Sequence, residues 1–498
     1  MPSVLPSHSE FLPSPSALKK LGDFQFRKVA GRYLITNEWG RYVILEPQQF
    51  SDFIHGLLPK NGPIRKKLSE EGFIKGEENR EALVAGFRGI KNHLWSGPSL
   101  HILVVTLRCN LKCVYCHSSV VGQDKTEFDM SLETAKKCVD FIFSGAAKEF
   151  TIEFQGGEPL MNWPVIRFVV EYVKEKNLKG NKKASIVLIS NLSLMDDEKL
   201  DFLIANKVGL CTSLDGPHQI HEANRIHLGG NSHASVTRWM EAFRKKTGRS
   251  LGALMTTTKR SLSRPKEIVD EYRRLGLRDI FLRPLHYLGF AKRSWQAIGY
   301  SDEEYIAFYR QCMDYILEIN RQGEFFQDYS SHLILTKILK RFDSGYVDLR
   351  SPCGAGLGQV SYNYNGEIYT CDEGRMIAAE GDKIFKIGHV SESSYPSIIE
   401  HATTRACCSA SNMEGQPLCF SCAYRPYCGI CPVLNYATQN TIWGRMPTNS
   451  YCYIFMHIFD YLFEKLADPK NEEIFKNWLN PPQKPVISPS CTGQLMGK

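Results

Sequence analysis

The stretch RCNLKCVYCHSS, residues 108–119, places three cysteines at Cys109, Cys113 and Cys116, separated by three and then two residues, with no fourth nearby. It follows LHILVVTL, residues 100–107. A short apolar run of this kind, bounded by a polar loop, reads as a strand buried on both faces. The thiols then lie on the loop at the C-terminal end of that strand, where βα folds keep their reactive groups. Structural zinc takes four protein ligands and catalytic zinc three plus water. A 4Fe-4S cluster also accepts cysteine thiolates, and three of them leave one iron free for a small molecule.

Downstream, TIEFQ, SIVLIS, GLCTSLD, LGALMTT and DIFLRPL read as further strands. Segments between them, such as SLETAKKCVDFIF and NWPVIRFVVEYVKEK, carry apolar residues at the three- and four-residue spacing of crossover helices. The pattern predicts an α/β fold with six βα units over residues 96–290. That is shorter than the ~250 residues of a complete eightfold barrel, so a partial (β/α)6 TIM-like barrel is expected. A doubly wound sheet is the alternative, because strand order is not legible in the sequence.

Upstream, residues 1–23 are rich in Pro and Ser and read as a flexible N-terminal tail. FQFRKV, RYLITN and RYVILEP alternate as short antiparallel strands and are followed by helical periodicity, so residues 24–95 read as a winged-helix-like module. A helical connector is expected over 291–350, a Cys-rich domain over 351–465 and a C-terminal tail over 466–498. SYNYNGEIYTC alternates around Asn365 and Gly366, a two-residue hairpin signal. CFSCAYRPYCGICP is too dense in Cys and Gly for ordinary helix or strand, so its order must come from what its sulfurs bind.

The length of 498 residues allows about three domains. The net charge of +8 is spread along the chain without the basic stripe that nucleic-acid binding requires. No apolar run reaches the ~18 residues of a membrane span, and MPSVLPSHSE does not read as an export signal. A cytoplasmic protein with neither nucleic-acid nor membrane partners is expected. Of the 16 cysteines, none precedes Cys109 and six fall between Arg405 and Pro432. Such clustering in a reducing compartment favours metal ligands over a disulfide scaffold. Cys138, Cys211 and Cys312 lie in apolar surroundings and read as small buried residues, while Cys491 has no assigned role.

The Cys-x3-Cys-x2-Cys loop after a first strand, with Tyr115 before the last cysteine, resembles the radical S-adenosylmethionine (SAM) enzymes. The resemblance implies a SAM-binding 4Fe-4S cluster on Cys109, Cys113 and Cys116, and cleavage of the cofactor to a 5′-deoxyadenosyl radical. FQGGEP resembles the family's GGE motif, in which backbone and Glu158 hold the methionine ammonium. Side chains at Gly156 and Gly157 would block close backbone approach to a ligand. Asn191 in LISNL, and Ser213 and Arg225 in TSLDGPHQIHEANR, are similar to further SAM contacts. A strand-end hydroxyl and a surface salt bridge are equally open readings of Ser213 and Arg225, and Asp215 either orients Arg225 or caps a turn.

Cys353, Cys371, Cys419, Cys422, Cys428, Cys431 and Cys452 resemble the SPASM extension of this superfamily, which carries two auxiliary clusters. Its arrangement implies that Cys353, Cys371 and Cys431 serve the first cluster, and Cys419, Cys422, Cys428 and Cys452 the second. One departure is visible: two residues, not the usual three, separate Cys428 from Cys431. The first cluster then keeps an open iron or recruits Cys407 or Cys408. A zinc ribbon on Cys419, Cys422, Cys428 and Cys431 is the alternative.

Over Phe24 to about Cys452 the chain most resembles the His-Xaa-Ser system radical SAM maturases, through stretches such as RYLITNEWGRYVILEP, YNYNGEIYTCDEGRM and CAYRPYCGICP. That implies a ribosomally made precursor peptide as substrate, a reductant such as flavodoxin or ferredoxin, and a partner radical SAM maturase. The modification is not implied. A sulfatase-maturase-like enzyme and a non-enzymatic, zinc-stabilised binding protein are the alternatives. No general acid or base is assigned, although Asp348, Asp372, Glu373, His286 and Tyr287 are placed to approach the barrel mouth.

Overall fold

The computed structural model describes residues 18–481. Most of the expected N-terminal tail, and Cys491, lie outside them. The tail ends earlier than expected: Leu21 is buried, and the Gly22 amide donates to Phe73 O at 2.9 Å, so residues 20–23 already belong to the first module.

That module is an antiparallel sheet of β1 (Gln25–Val29), β2 (Arg32–Thr36) and β3 (Tyr42–Leu45), followed by helices Pro47–His55, Pro63–Glu70 and Arg80–Ile90. Ile35, Val43 and Leu45 meet Phe50, Phe53 and Leu68 in a core separate from the main one. Period-2 alternation on β2 and β3 supplies that face, and the helices close it.

The central sheet is built on β4 (Leu100–Thr106), every residue of which is buried. A short β5 (Leu111–Cys113) follows in the cysteine loop. β6 (Glu149–Gly156), β7 (Lys183–Ile189) and β8 (Gly209–Ser213) come next, then a short β9 (Arg225–His227) and β10 (Gly252–Leu254). In the sheet, β4, β6, β7, β8 and β10 lie side by side in chain order, each parallel to the last. Over these five strands the order runs one way, without the reversal that marks a doubly wound sheet. All six expected strand positions are occupied. The sixth, β11 (Asp279–Ile280), pairs not with β10 but with β12 (Gln327–Asp328).

The expected connector is therefore structural. It supplies β12, and its helix Asp302–Arg321, begun by a Ser301/Glu304 capping box, buries one face including Tyr305, Tyr309 and Ile316. The Cys-rich domain is not separate either. β13 (Gln359–Tyr362) runs parallel to β4 on its free edge, and β14 (Glu367–Tyr369) and β15 (Lys386–His389) extend the sheet antiparallel. An edge as apolar as β4 needs such a cover. The turn between β13 and β14 is longer than the two residues expected. The Asn363 amide donates to Glu367 O at 2.9 Å and the Gly366 amide to Asn363 O at 2.8 Å. Three residues thus make the turn, with Gly366 left-handed (φ 87°) at its last position.

Past 466 the expected tail is instead a helix, Pro469–Leu479, that buries Phe475 and Trp478 completely. Cys138, Cys211 and Cys312 are buried, as expected. No helix among the described residues is long and apolar enough to cross a membrane.

The first module docks on the second cysteine region. Arg27 donates from Nε and Nη2 to the two carboxylate oxygens of Asp460, each at 2.7 Å, Thr36 Oγ1 donates to Ala423 O at 2.6 Å, and Arg425 Nη2 reaches Glu38 at 2.7 Å. Replacing Arg27 by Ala leaves Asp460 without its cationic partner and the Tyr424 ring without the guanidinium over it. Because both partners are partly solvated, the expected loss is about 1–2 kcal/mol in a denaturant titration.

Candidate functional site

The three-thiol loop is held from four directions. Thr106 Oγ1 and Arg108 Nε donate to Asp129 Oδ1 at 2.5 and 2.8 Å, and Arg108 also reaches the carbonyls of Gln123 and Met161 at 2.9 and 3.0 Å. On the second side, Gly157 N donates to Thr106 O at 2.9 Å and Glu158 N to Arg108 O at 2.7 Å. A Cβ at Gly156 would stand 2.0 Å from Thr106 O, and one at Gly157 2.1 Å from Arg108 O. The glycine pair thus admits the backbone of the cysteine loop itself, a constraint beyond the ligand approach expected from sequence.

On the third side β5 pairs antiparallel with β9, setting Cys113 opposite Arg225. Fourth, helix Gly289–Ile298 closes over the loop: Phe290 N donates to Cys116 O at 2.7 Å and Ser294 Oγ to Val114 O at 2.6 Å. A domain boundary at 290 therefore cuts through an element of the site.

Cys109, Cys113 and Cys116 line one open cavity of about 850 Å³ together with Gly156, Gly157, Asn191, Ser213 and Arg225. Tyr115 lines it too, but its hydroxyl is engaged within the chain. It donates to Asp215 at 2.8 and 2.9 Å to the two oxygens and accepts from Arg225 Nη1 at 2.9 Å. Asp215 orients Arg225 through this phenol rather than by direct contact. Arg225 Nε is buried without a hydrogen-bond partner, a cationic donor on a side chain that lines the cavity.

Glu158 is completely buried. Its carboxylate accepts from Leu160 N, Ser190 Oγ and Asn191 N at 3.0, 2.7 and 2.8 Å, so it fastens the end of β7 to the loop after β6. Asn191 passes this order on, donating from Nδ2 to Asn110 Oδ1 at 3.1 Å. Burial raises the pKa of Glu158, and those hydrogen bonds oppose the shift.

Burial likewise raises all three thiols above their ordinary range, Cys113 to about 11, where Arg225 opposes it. Their ionisation is therefore coupled to arrival of a positive group. Among the described residues no three His, Cys, Asp or Glu side chains are grouped to hold a single metal ion. The fit to a 4Fe-4S cluster rests on the donor set: three thiols on one loop in a cavity with an unpartnered cationic donor beside it.

Sequence reasoning missed Arg283, Met376 and His117 in the cavity wall. Arg283 lies within the IFLRPL segment, three residues past the end of β11, so its place on a loop after a strand was an available signal. Met376 had none, since it arrives on helix Asp372–Ala379, directly after Cys371. Asp348 and Glu373 face Arg283. Burial first, then mutual repulsion for Glu373, raises both, Glu373 to about 7. Asp372 instead binds Arg375 Nε at 2.8 Å, Tyr287 packs edge-on against Trp295, and burial holds His286 neutral, its pKa well below the ordinary value.

The seven cysteines of the expected second set form two groups. Cys419 packs with Cys428 and Cys452, and Cys422 acts electrostatically on all three. Cys431 packs instead with Cys353 and Cys371, away from the set a zinc ribbon would need.

Residues 103–272 match the family described as the Radical SAM superfamily. The cysteine-type anaerobic sulfatase-maturating enzyme of Clostridium perfringens (strain 13 / Type A) is 25% identical over 386 residues, 75% of this chain and 99% of that protein. A solved structure of anSMEcpe with bound AdoMet and Kp18Cys peptide superposes with a TM-score of 0.61 at 21% identity, covering 75% of this chain and 99% of that one. Streptococcus suis SuiB bound to its precursor peptide SuiA gives 0.52 at 13% identity, covering 87% and 99%. The chain carries a radical SAM domain and is an enzyme.

Gly157→Ala is expected to push the Arg108 backbone aside and abolish iron retention by the loop after anaerobic reconstitution, with the far-ultraviolet circular dichroism little changed. Asp129→Ala, which frees Arg108, is expected to lower loop-bound iron several-fold.

Proposed function

We propose that this chain is a radical SAM maturase of the His-Xaa-Ser type, modifying a ribosomally synthesised precursor peptide by hydrogen abstraction. The observation that carries this reading is the wall of the cavity. The cysteine loop forms one side, and Met376, five residues after Cys371, contributes to the other. A peptide side chain entering here would stand between the two cysteine regions.

Residues 96–290 are read as a partial (β/α)6 barrel and 351–465 as a SPASM-type domain with two auxiliary 4Fe-4S clusters. Cys353, Cys371 and Cys431 would hold one, and Cys419, Cys422, Cys428 and Cys452 the other. Cys109, Cys113 and Cys116 would hold the SAM-binding cluster, which with SAM supplies a 5′-deoxyadenosyl radical. The backbone of Gly156 and Gly157, with Asn191, Ser213 and Arg225, would grip the amino acid and ribose of SAM. Arg225, with Nε unpartnered, is suited to a carboxylate. Tyr115 and Glu158 act as positioning residues, since their polar atoms already bind Arg225, Asp215 and the end of β7. The buried walls exclude water from a reactive intermediate.

Residues 24–95 are read as a winged-helix-like peptide-recognition module. Its β1 and β3 are the sheet edges, and a leader segment would add there as a further strand. A flavodoxin or ferredoxin as reductant, a partner radical SAM maturase and a cytoplasmic, reducing setting complete the reading. The second reading, oxidation of a sulfatase Cys or Ser, is favoured by the near full-length match to the clostridial maturase.

Co-expression with the precursor is expected to change the peptide's mass, and Cys113→Ala to abolish the change. A change that survives Cys113→Ala refutes radical initiation at the loop. Modification of a sulfatase peptide, with the precursor untouched, establishes the second reading. Reconstituted enzyme with dithionite and SAM is expected to release 5′-deoxyadenosine.

A further inference from the structure

Cys353, Cys371 and Cys431 do not share their apolar pocket with other residues of the SPASM-like set. They share it with Cys407, from helix Ala402–Ala410. One buried hydroxyl links the backbones of Cys353 and Cys407. Cys353 N donates to Ser411 Oγ at 2.8 Å, and Ser411 Oγ donates to Cys407 O at 2.6 Å. The same helix presses Thr404 against the loop after Cys353, where a Cβ at Gly356 would stand 2.7 Å from Thr404 Cγ2. Gly356 N in turn donates to Thr370 O at 2.7 Å, beside Cys371.

Electrostatic proximity runs the same way, with Cys407 acting on Cys353, and Cys353 on Cys371 and Cys431. Cys371 and Cys431 each begin a helix, their sulfurs accepting from Gly374 N at 3.3 Å and Leu434 N at 3.4 Å. Cys407 is 1% exposed, whereas its neighbour Cys408 is only half-buried and lies outside the pocket.

We propose that Cys407 is the fourth thiolate of the first auxiliary 4Fe-4S cluster, joining Cys353, Cys371 and Cys431, so that this cluster has no iron open to substrate. The proposal rests on the reading of the second cysteine region as cluster ligands. It assigns this cluster to electron transfer and leaves substrate binding to the cavity lined by Arg283 and Met376.

The test uses the full chain with Cys109, Cys113 and Cys116 all replaced by Ala, reconstituted anaerobically, and reads iron, sulfide and the electron paramagnetic resonance of the reduced protein. This parent is expected to hold about eight irons in two clusters. Adding Cys407→Ala is expected to remove about four irons or leave a three-iron signal, with Cys408→Ala unchanged. Cys407→Ser, which preserves side-chain size, is expected to retain the cluster with a shifted spectrum. Cyanide added to the parent is expected to leave the spectrum unaltered, a readout that needs no substitution at Cys407. Full iron with an unchanged spectrum in both Cys407 variants overturns the proposal, as does a cyanide-induced shift of the first auxiliary signal. A parent holding only about four irons overturns the cluster reading of this group instead.

Discussion

The contact on which the rest depends is between two backbones. Where β6 ends, the chain at Gly156 and Gly157 lies so close to the carbonyls of Thr106 and Arg108 that no side chain fits at either glycine. Two amide hydrogen bonds close that contact. From it follow the placement of Cys109, the burial of Glu158 and, through Asn191, the shape of the cavity's far wall. Arg108 and Asp129 hold the same loop from the other side, and their partly buried, multiply bonded geometry makes them more than a surface ion pair.

Strand positions were legible because buried parallel strands are written as apolar runs, as in LHILVVTL and SIVLIS. The cysteine groups were legible because thiols are scarce and their spacing is local. Pairing was not, since β11 joins β12 and β4 joins β13 across separations that no local pattern records. The Asn365-Gly366 signal marked a real turn yet missed its length, because Asn363 takes the closing hydrogen bond. Glu158 and Tyr115 were marked by motif, but their partners, Ser190, Asn191, Asp215 and Arg225, are set by tertiary structure. The last helix looked like a tail because it has only four large apolar residues, Ile474, Phe475, Trp478 and Leu479, of which the last three are buried.

The first module is also part of the second cysteine region's support. Arg27, Thr36 and Glu38 bond to Asp460, Ala423 and Arg425, and Tyr42 packs edge-on against Phe463. Removing residues 24–95 would therefore strip hydrogen bonds and apolar cover from the segment that carries Cys422 and Cys428. Loss of peptide binding after such a deletion would not by itself locate a recognition surface. Point substitutions on the β1 or β3 edge that spare Arg27 and Tyr42 keep this support intact.

The parallel pairing of β13 with β4 has a consequence for biosynthesis. A ribosome delivers β4 long before its neighbour, and during that interval a strand destined for full burial has one unsatisfied flank. The nascent chain is thus vulnerable to mispairing until its final third emerges. A chaperone, or rapid release from the ribosome, would matter more to this protein than to one whose sheet is completed by adjacent sequence.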